Sequence, residues 1–174
     1  MNKYLLILLT TLFLYLNIIY AGPSDKYYQV TKVIDGDSIH VLDAQGTRIK
    51  VRLAYIDAPE LKQDFGQESK KALESMLNDQ YVDLEIVNKD RYGRTVARVL
   101  MDNIDINLQM IANGMAWHYV RYDKQPIEKF LIYQQAMRKA KAIGMGLWSG
   151  LTTPIEPWKY RLIPKINECC GEYR

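Results

Sequence analysis

Hydrophobic positions fall into three regimes along this chain. Residues 4–20 form an uncharged, mostly apolar run. From Tyr27 onward the pattern turns to period two. Tyr27 to Ile34 is rich in β-branched and aromatic residues and stops at the turn dipeptide Asp35-Gly36. Ser38 to Leu42 follows, then a second turn through Asp43 to Gly46. Arg48 to Tyr55 alternates, with Ile49, Val51 and Leu53 on one face and charges on the other. These segments predict a three-strand meander. Gly66 to Asn78 changes to helical spacing, with Ala72, Leu73, Met76 and Leu77 on one face. Period two returns at Tyr81 to Val87, with Val82, Leu84 and Ile86 inward, and a Tyr92-Gly93 turn leads to a fifth strand over Arg94 to Met101. Two more helices follow. One runs near Asp105 to Asn113, with Asp105 as N-cap and Gly114 as its stop. The other runs near Pro126 to Ala142, with Phe130, Tyr133, Met137 and Ala140 on its buried face.

Five strands, a helix between the third and fourth, and three α-helices in all suggest a small Greek-key β-barrel of the OB type, an α+β arrangement. Period-two patterning alone leaves other small β-rich folds open. The chain divides into residues 1–21, a domain over 22–150, and a tail over 151–174 that carries prolines and reads as irregular.

Lys3, the apolar run and the Ala21-Gly22-Pro23 break read as a secretory signal peptide cut near Ala21. Ile19 at the −3 position makes that cleavage site imperfect. An uncleaved membrane anchor is the alternative, because the run is borderline for spanning a bilayer. In both cases the folded part is exported, secreted or periplasmic. The formal net charge is +3 for 174 residues, and residues 1–21 hold one lysine and no acid, so their loss leaves +2. That is too weak to imply a nucleic-acid partner on its own. The positive charge is local instead. Arg48, Lys50 and Arg52 share a strand face, and Arg91, Arg94 and Arg98 form a second group. Taken alone, Arg48, Lys50 and Arg98 read as solvated strand charges. Cys169 and Cys170 are adjacent, so they cannot staple the fold, and they are too few for a zinc site. The two histidines, His40 and His118, read as a surface residue and a packing residue.

The charged residues that remain suit phosphodiester hydrolysis. Asp37 follows the Asp-Gly turn, Asp57 ends the third strand beside Ala58-Pro59, and Glu60 lies in the loop beyond. Carboxylates at the ends of neighbouring strands can converge on a hard cation such as Ca2+ or Mg2+, and a third can activate water. Arg52 and Arg94 offer guanidiniums for the phosphate oxygens. Each residue alone is also explained as a turn, loop or strand-face charge.

The segments Val33-Ile-Asp-Gly-Asp37, Arg52-Leu-Ala-Tyr-Ile-Asp57-Ala58-Pro59-Glu60 and Asp90-Arg-Tyr-Gly-Arg94 resemble the signature segments of the staphylococcal-nuclease-like (thermonuclease) family. Gly114-Met-Ala-Trp117 and Gly146-Leu-Trp148 resemble its later landmarks. The resemblance runs in order from about residue 28 to 150. It implies an OB barrel with three helices and a Ca2+-dependent endonuclease acting on DNA and RNA, cutting the 5′ P–O bond and leaving 3′-phosphate ends. It implies Asp37, Asp57 and the Ala58 carbonyl as Ca2+ ligands, Glu60 as general base or water-positioning group, and Arg52 and Arg94 on the scissile phosphate. Asp35 would be an acid near the metal or simply a turn residue. Arg91, Tyr92, Tyr119 and Tyr122 lie where similar nucleases place substrate contacts. The chain is expected to act as a monomer without an obligate protein partner. The alternative function is a catalytically inactive OB-fold nucleic-acid-binding module.

Overall fold

The computed structural model describes residues 27–121, 125–150 and 153–163. The expected signal segment, Tyr122 and the cysteine pair lie outside the described residues. Five strands close the barrel: β1 (Tyr28–Asp35), β2 (Ser38–Leu42), β3 (Arg48–Leu53), β5 (Tyr81–Lys89) and β6 (Thr95–Met101). β1, β2 and β3 form the meander. β5 pairs antiparallel with β1 and β6, and β3 pairs parallel with β6 through Val51–Thr95, Arg52–Val96 and Leu53–Ala97. That parallel seam shuts the barrel and removes its open edges. Three short strands sit outside it: β4 (Ile56–Asp57), β7 (Ile104–Asp105) and β8 (Trp117–His118), with β4 paired to β8.

The helices are α1 (Gly66–Leu77), α2 (Ile106–Ala112), α3 (Ile127–Ala142) and a single turn, α4 (Pro157–Tyr160). α1 buries Leu73 and Leu77 against the barrel, and α2 buries Ile106, Met110 and Ile111. A buried leucine of this kind contributes about 2 kcal/mol through the water it sheds. The Asp105 side chain caps α2 by accepting from the Leu108 N–H at 3.0 Å, as expected. Asn107, fully buried, closes the seam. Its amide donates to the Ala54 and Ala97 carbonyls and its oxygen accepts from Val99 N–H.

The structure corrects four expectations. Ile86 does not face inward: it is 59% exposed, because a bulge between Ile86 and Asn88 shifts the register and turns Val87 toward the core. The third strand stops at Leu53, since Tyr55 takes a left-handed φ of 65°, so Asp57 lies on β4 and not at the end of β3. Arg98 is not a solvated charge and does not join Arg91 and Arg94; it is 8% exposed and paired with Glu85 and Asp105. The tail is not wholly irregular, because Pro157 opens α4 after Glu156.

Candidate active site

The Asp35-Gly36-Asp37 turn between β1 and β2 is fixed by the Asp35 carboxylate, which accepts from the Asp37 N–H at 3.0 Å. Gly36 is required there. A Cβ on it would fall 2.7 Å from the Ala58 Cβ and collide with the Ser69 side chain of α1. The turn is thereby pressed against the segment that follows β4. Across that contact Asp37 Oδ2 accepts from the Ala58 N–H at 2.7 Å, joining residues distant in sequence. Gly66, at the start of α1, plays the matching part for Glu60, since a Cβ there would lie 2.8 Å from the Glu60 carbonyl carbon. Two glycines therefore set the spacing of the three acids.

Arg52 projects from β3 between two of those acids. Its Nη2 lies 3.1 Å from Asp37 Oδ2 and 2.9 Å from Asp57 Oδ1. Arg94 stands one residue before β6, where the strand was expected to start. Asp90 holds it: the carboxylate accepts from the Arg94 N–H at 3.0 Å and pairs with Arg94 Nε at 2.7 Å. The Arg94 guanidinium also lies 5.6 Å from the Tyr92 ring, and that of Arg91 lies 5.0 Å from it.

These groups line one cavity of about 320 Å3 at the barrel mouth. Asp35, Asp37, Asp57, Ala58 and Glu60 line it together with Arg52, Arg91, Tyr92 and Arg94, and Arg52 is paired directly with Asp37 and Asp57. Tyr92 is 68% exposed, so its ring is open to a polymer passing over the mouth. Tyr119 is not on the cavity wall. Its N–H donates to the Tyr55 carbonyl and its ring packs at 5.4 Å from Trp158. His40 is half-buried, and His118 is buried with its Nε2 2.9 Å from the Gln125 amide oxygen, so neither joins the cavity.

A further arginine, read only as part of the irregular tail, reaches the site. Arg161 follows α4 and contacts the acids from the C-terminal side. Its Nη2 is 2.7 Å from Asp57 Oδ2, and its Nη1 is 2.7 Å from Glu60 Oε1 and 3.3 Å from Asp57 Oδ1. The sequence signal at hand was Glu156-Pro157, a helix start, and it gives the turn without its target.

The acids are crowded. Burial, then the charge of Asp37, pushes the Asp35 carboxyl up to about 7. Burial also raises Asp57, against the opposing pull of Arg161 and Arg52. The donor set is all oxygen and partly buried, which suits a hard divalent cation, although Arg52 Nη2 sits between Asp37 and Asp57 in this structure. Among the described residues no three His, Cys, Asp or Glu side chains form a ready-made cage.

The family model described as staphylococcal nuclease homologue matches residues 50–150. That span includes Arg52, Asp57, Glu60 and Arg94, and Asp37 lies just before it. A protein of Haemophilus influenzae named an uncharacterized endonuclease is 44% identical over 162 residues, which is 92% of this chain and 88% of the relative. One with the same name in Escherichia coli O157:H7 is 36% identical over 139 residues, 79% of this chain and 86% of that one. A probable staphylococcal-like nuclease of Oryza sativa subsp. japonica is 38% identical over 114 residues, 66% of this chain and 29% of the plant protein.

Proposed function

Because the chain belongs to the staphylococcal nuclease family and is a hydrolytic nuclease, we propose that it is a Ca2+-dependent endonuclease cutting DNA and RNA at the barrel-mouth cavity. One observation supports this most strongly. Asp37, Asp57, Glu60, Arg52 and Arg94 come from separate segments and line the same cavity.

Asp37, Asp57 and the Ala58 carbonyl would hold the cation. When bound, it supplies positive charge that offsets the phosphate and makes nearby water more acidic. Arg52 and Arg94 grip the non-bridging phosphate oxygens, whose negative charge grows in the transition state. Asp90 keeps Arg94 aimed, through hydrogen bonds that hold the Asp90 carboxyl below its ordinary value against the effect of partial burial. Glu60 orients the attacking water and takes its proton. The water oxygen bonds to phosphorus, the 5′ P–O bond breaks, and the departing 5′ oxygen takes a proton from solvent. A 3′-phosphate and a 5′-hydroxyl result. Arg91 and Tyr92 contact the strand at the mouth, and Tyr119 and Tyr122 are the outer contacts of this reading. With few protein ligands, Ca2+ binds weakly, with a dissociation constant of roughly 10⁻⁴–10⁻³ M.

The enzyme works as a monomer outside the cytoplasm, exported by residues 1–21, which are either cleaved or kept as an anchor. N-terminal sequencing of the exported protein separates these two forms. The reaction is tested by mapping the ends of DNA and RNA fragments made in Ca2+ and in EDTA. Products with 3′-phosphate ends that form only in Ca2+ are expected. Products with 5′-phosphate ends would overturn the bond assignment, and digestion unchanged by EDTA would overturn the metal requirement.

A further inference from the structure

Thr153 to Ile163 lies as a strap beside the cavity. The Gln63 amide donates to the Ile155 carbonyl at 2.6 Å, and the Tyr160 hydroxyl donates to the Lys62 carbonyl at 3.1 Å. Trp158 packs between Trp117, at 5.9 Å, and Tyr119, at 5.4 Å. The strap ends in the Arg161 guanidinium. Both oxygens of Asp57 are thereby engaged by N–H donors: Oδ2 by Arg161, and Oδ1 by Arg52 with a longer contact from Arg161. The second arm of Arg161 engages Glu60. Its charge is held on more firmly than usual, since burial, which opposes the charge, is outweighed by the hydrogen bonds Arg161 donates to Asp57 and Glu60.

We propose that Arg161 is a built-in counter-cation that competes with the divalent metal for Asp57 and must leave the carboxylates for the metal to load. The proposal rests on the metal reading given above. A divalent cation on Asp57 and the guanidinium of Arg161 would be like charges within a few ångströms, in a partly buried pocket that screens them poorly. While latched, Arg161 neutralises the crowded acids of the metal-free protein. It also ties up Glu60, which then cannot serve as a base. Apparent metal affinity is lowered by the fraction of molecules in the latched state, and metal and latch weaken each other reciprocally. Arg161 is nearly half exposed and sits after the last turn of the strap, so replacing it leaves the barrel core untouched.

The test is a Ca2+ titration of the full chain by calorimetry, in wild type, Arg161→Gln and Arg161→Lys, with Asp37→Asn as site control. Arg161→Gln is expected to bind Ca2+ on the order of tenfold more tightly, the loss of one charge-assisted contact. Arg161→Lys should fall between, and Asp37→Asn should abolish binding. Thermal melting gives a second readout. Arg161→Gln should melt below wild type in EDTA, and the gap should close in saturating Ca2+. Equal or weaker Ca2+ binding by Arg161→Gln would overturn the latch and leave the metal site standing. A melting deficit that persists in Ca2+ would also overturn it, marking Arg161 as purely structural. Ca2+ binding that survives Asp37→Asn would place the cation elsewhere and overturn the proposal. If no variant binds Ca2+, the metal reading itself fails and the latch falls with it.

Discussion

Arg94 and Arg98 stand four residues apart, at the mouth and on the wall of the same barrel, and their surroundings differ. Arg98 is buried, with Nε and Nη2 on Asp105 Oδ2 at 3.0 and 2.8 Å and Nη1 on Glu85. Asp105 in turn accepts the Tyr133 hydroxyl at 2.8 Å and caps α2. Burial and the neighbouring Asp105 push the Tyr133 hydroxyl far above its usual value, so it stays a donor. Each charge in this group meets an opposite one, and the product is a joint between β6, β5, α2 and α3. At the mouth, four carboxylates share an open cavity with four arginines, Arg52 and Arg161 are paired directly with the acids, and two of those carboxylates are driven toward protonation. The same residue types build a fastener where they are buried and closed over. Where they line a cavity that solvent reaches, they build a place for ions and phosphate.

Exchanging one arginine at a time breaks this comparison most sharply. Arg94→Ala should lower kcat by roughly 10³-fold or more with the melting temperature nearly unchanged, because it removes a contact that strengthens in the transition state. Glu60→Ala should do likewise while Ca2+ still binds, which calorimetry checks. Arg98→Ala should do the reverse. It strands the largely buried Asp105 and should cost about 3 kcal/mol in denaturant unfolding. Activity per folded molecule should be largely kept. If Arg98→Ala lost catalysis at full stability, the division between the two groups would be wrong.

Part of this division is legible in the sequence, and the limit is physical. Period-two and helical spacing place the barrel strands and three helices, because a half-buried strand or helix must alternate its surfaces. Asp37, Asp57, Glu60, Arg52 and Arg94 each read alone as a turn, loop or strand charge, and it is the resemblance to nuclease segments that groups them. Arg161 is not legible, since it meets Asp57 across more than a hundred residues, and a lone arginine in a proline-bearing segment carries no sign of its target. Nor is Arg98, whose burial depends on α3 and β7 closing over β6. Ile86 is misplaced by a bulge, and Tyr55 holds a left-handed φ of 65° that local preference disfavours. Asn107 reads as an ordinary helix residue, yet it bonds to three backbone groups of the seam.

Two smaller effects sharpen the structural side. Asn107→Ala should cost about 2–3 kcal/mol, because the Val99 N–H and the Ala54 carbonyl lose the Asn107 amide, while the Ala97 carbonyl keeps the Ala54 N–H. Urea unfolding measures it. His118 gives a pH effect. Burial pushes its imidazole below the ordinary value of 6.5, so the unfolded chain binds that proton more readily than the folded one. Its contribution is full above about pH 6.5 and is lost as pH falls through the lowered folded value. His118→Gln should flatten the stability profile as pH falls below about 6.5. An unchanged slope would mean the folded imidazole is not shielded.

The most direct test of the central claim is the rate of DNA and RNA digestion by the purified chain as Ca2+ is raised from EDTA conditions. The account predicts no cleavage in EDTA and a rise that saturates at roughly 10⁻⁴–10⁻³ M Ca2+. Full cleavage without a divalent metal, or no cleavage at any Ca2+ concentration, would contradict it.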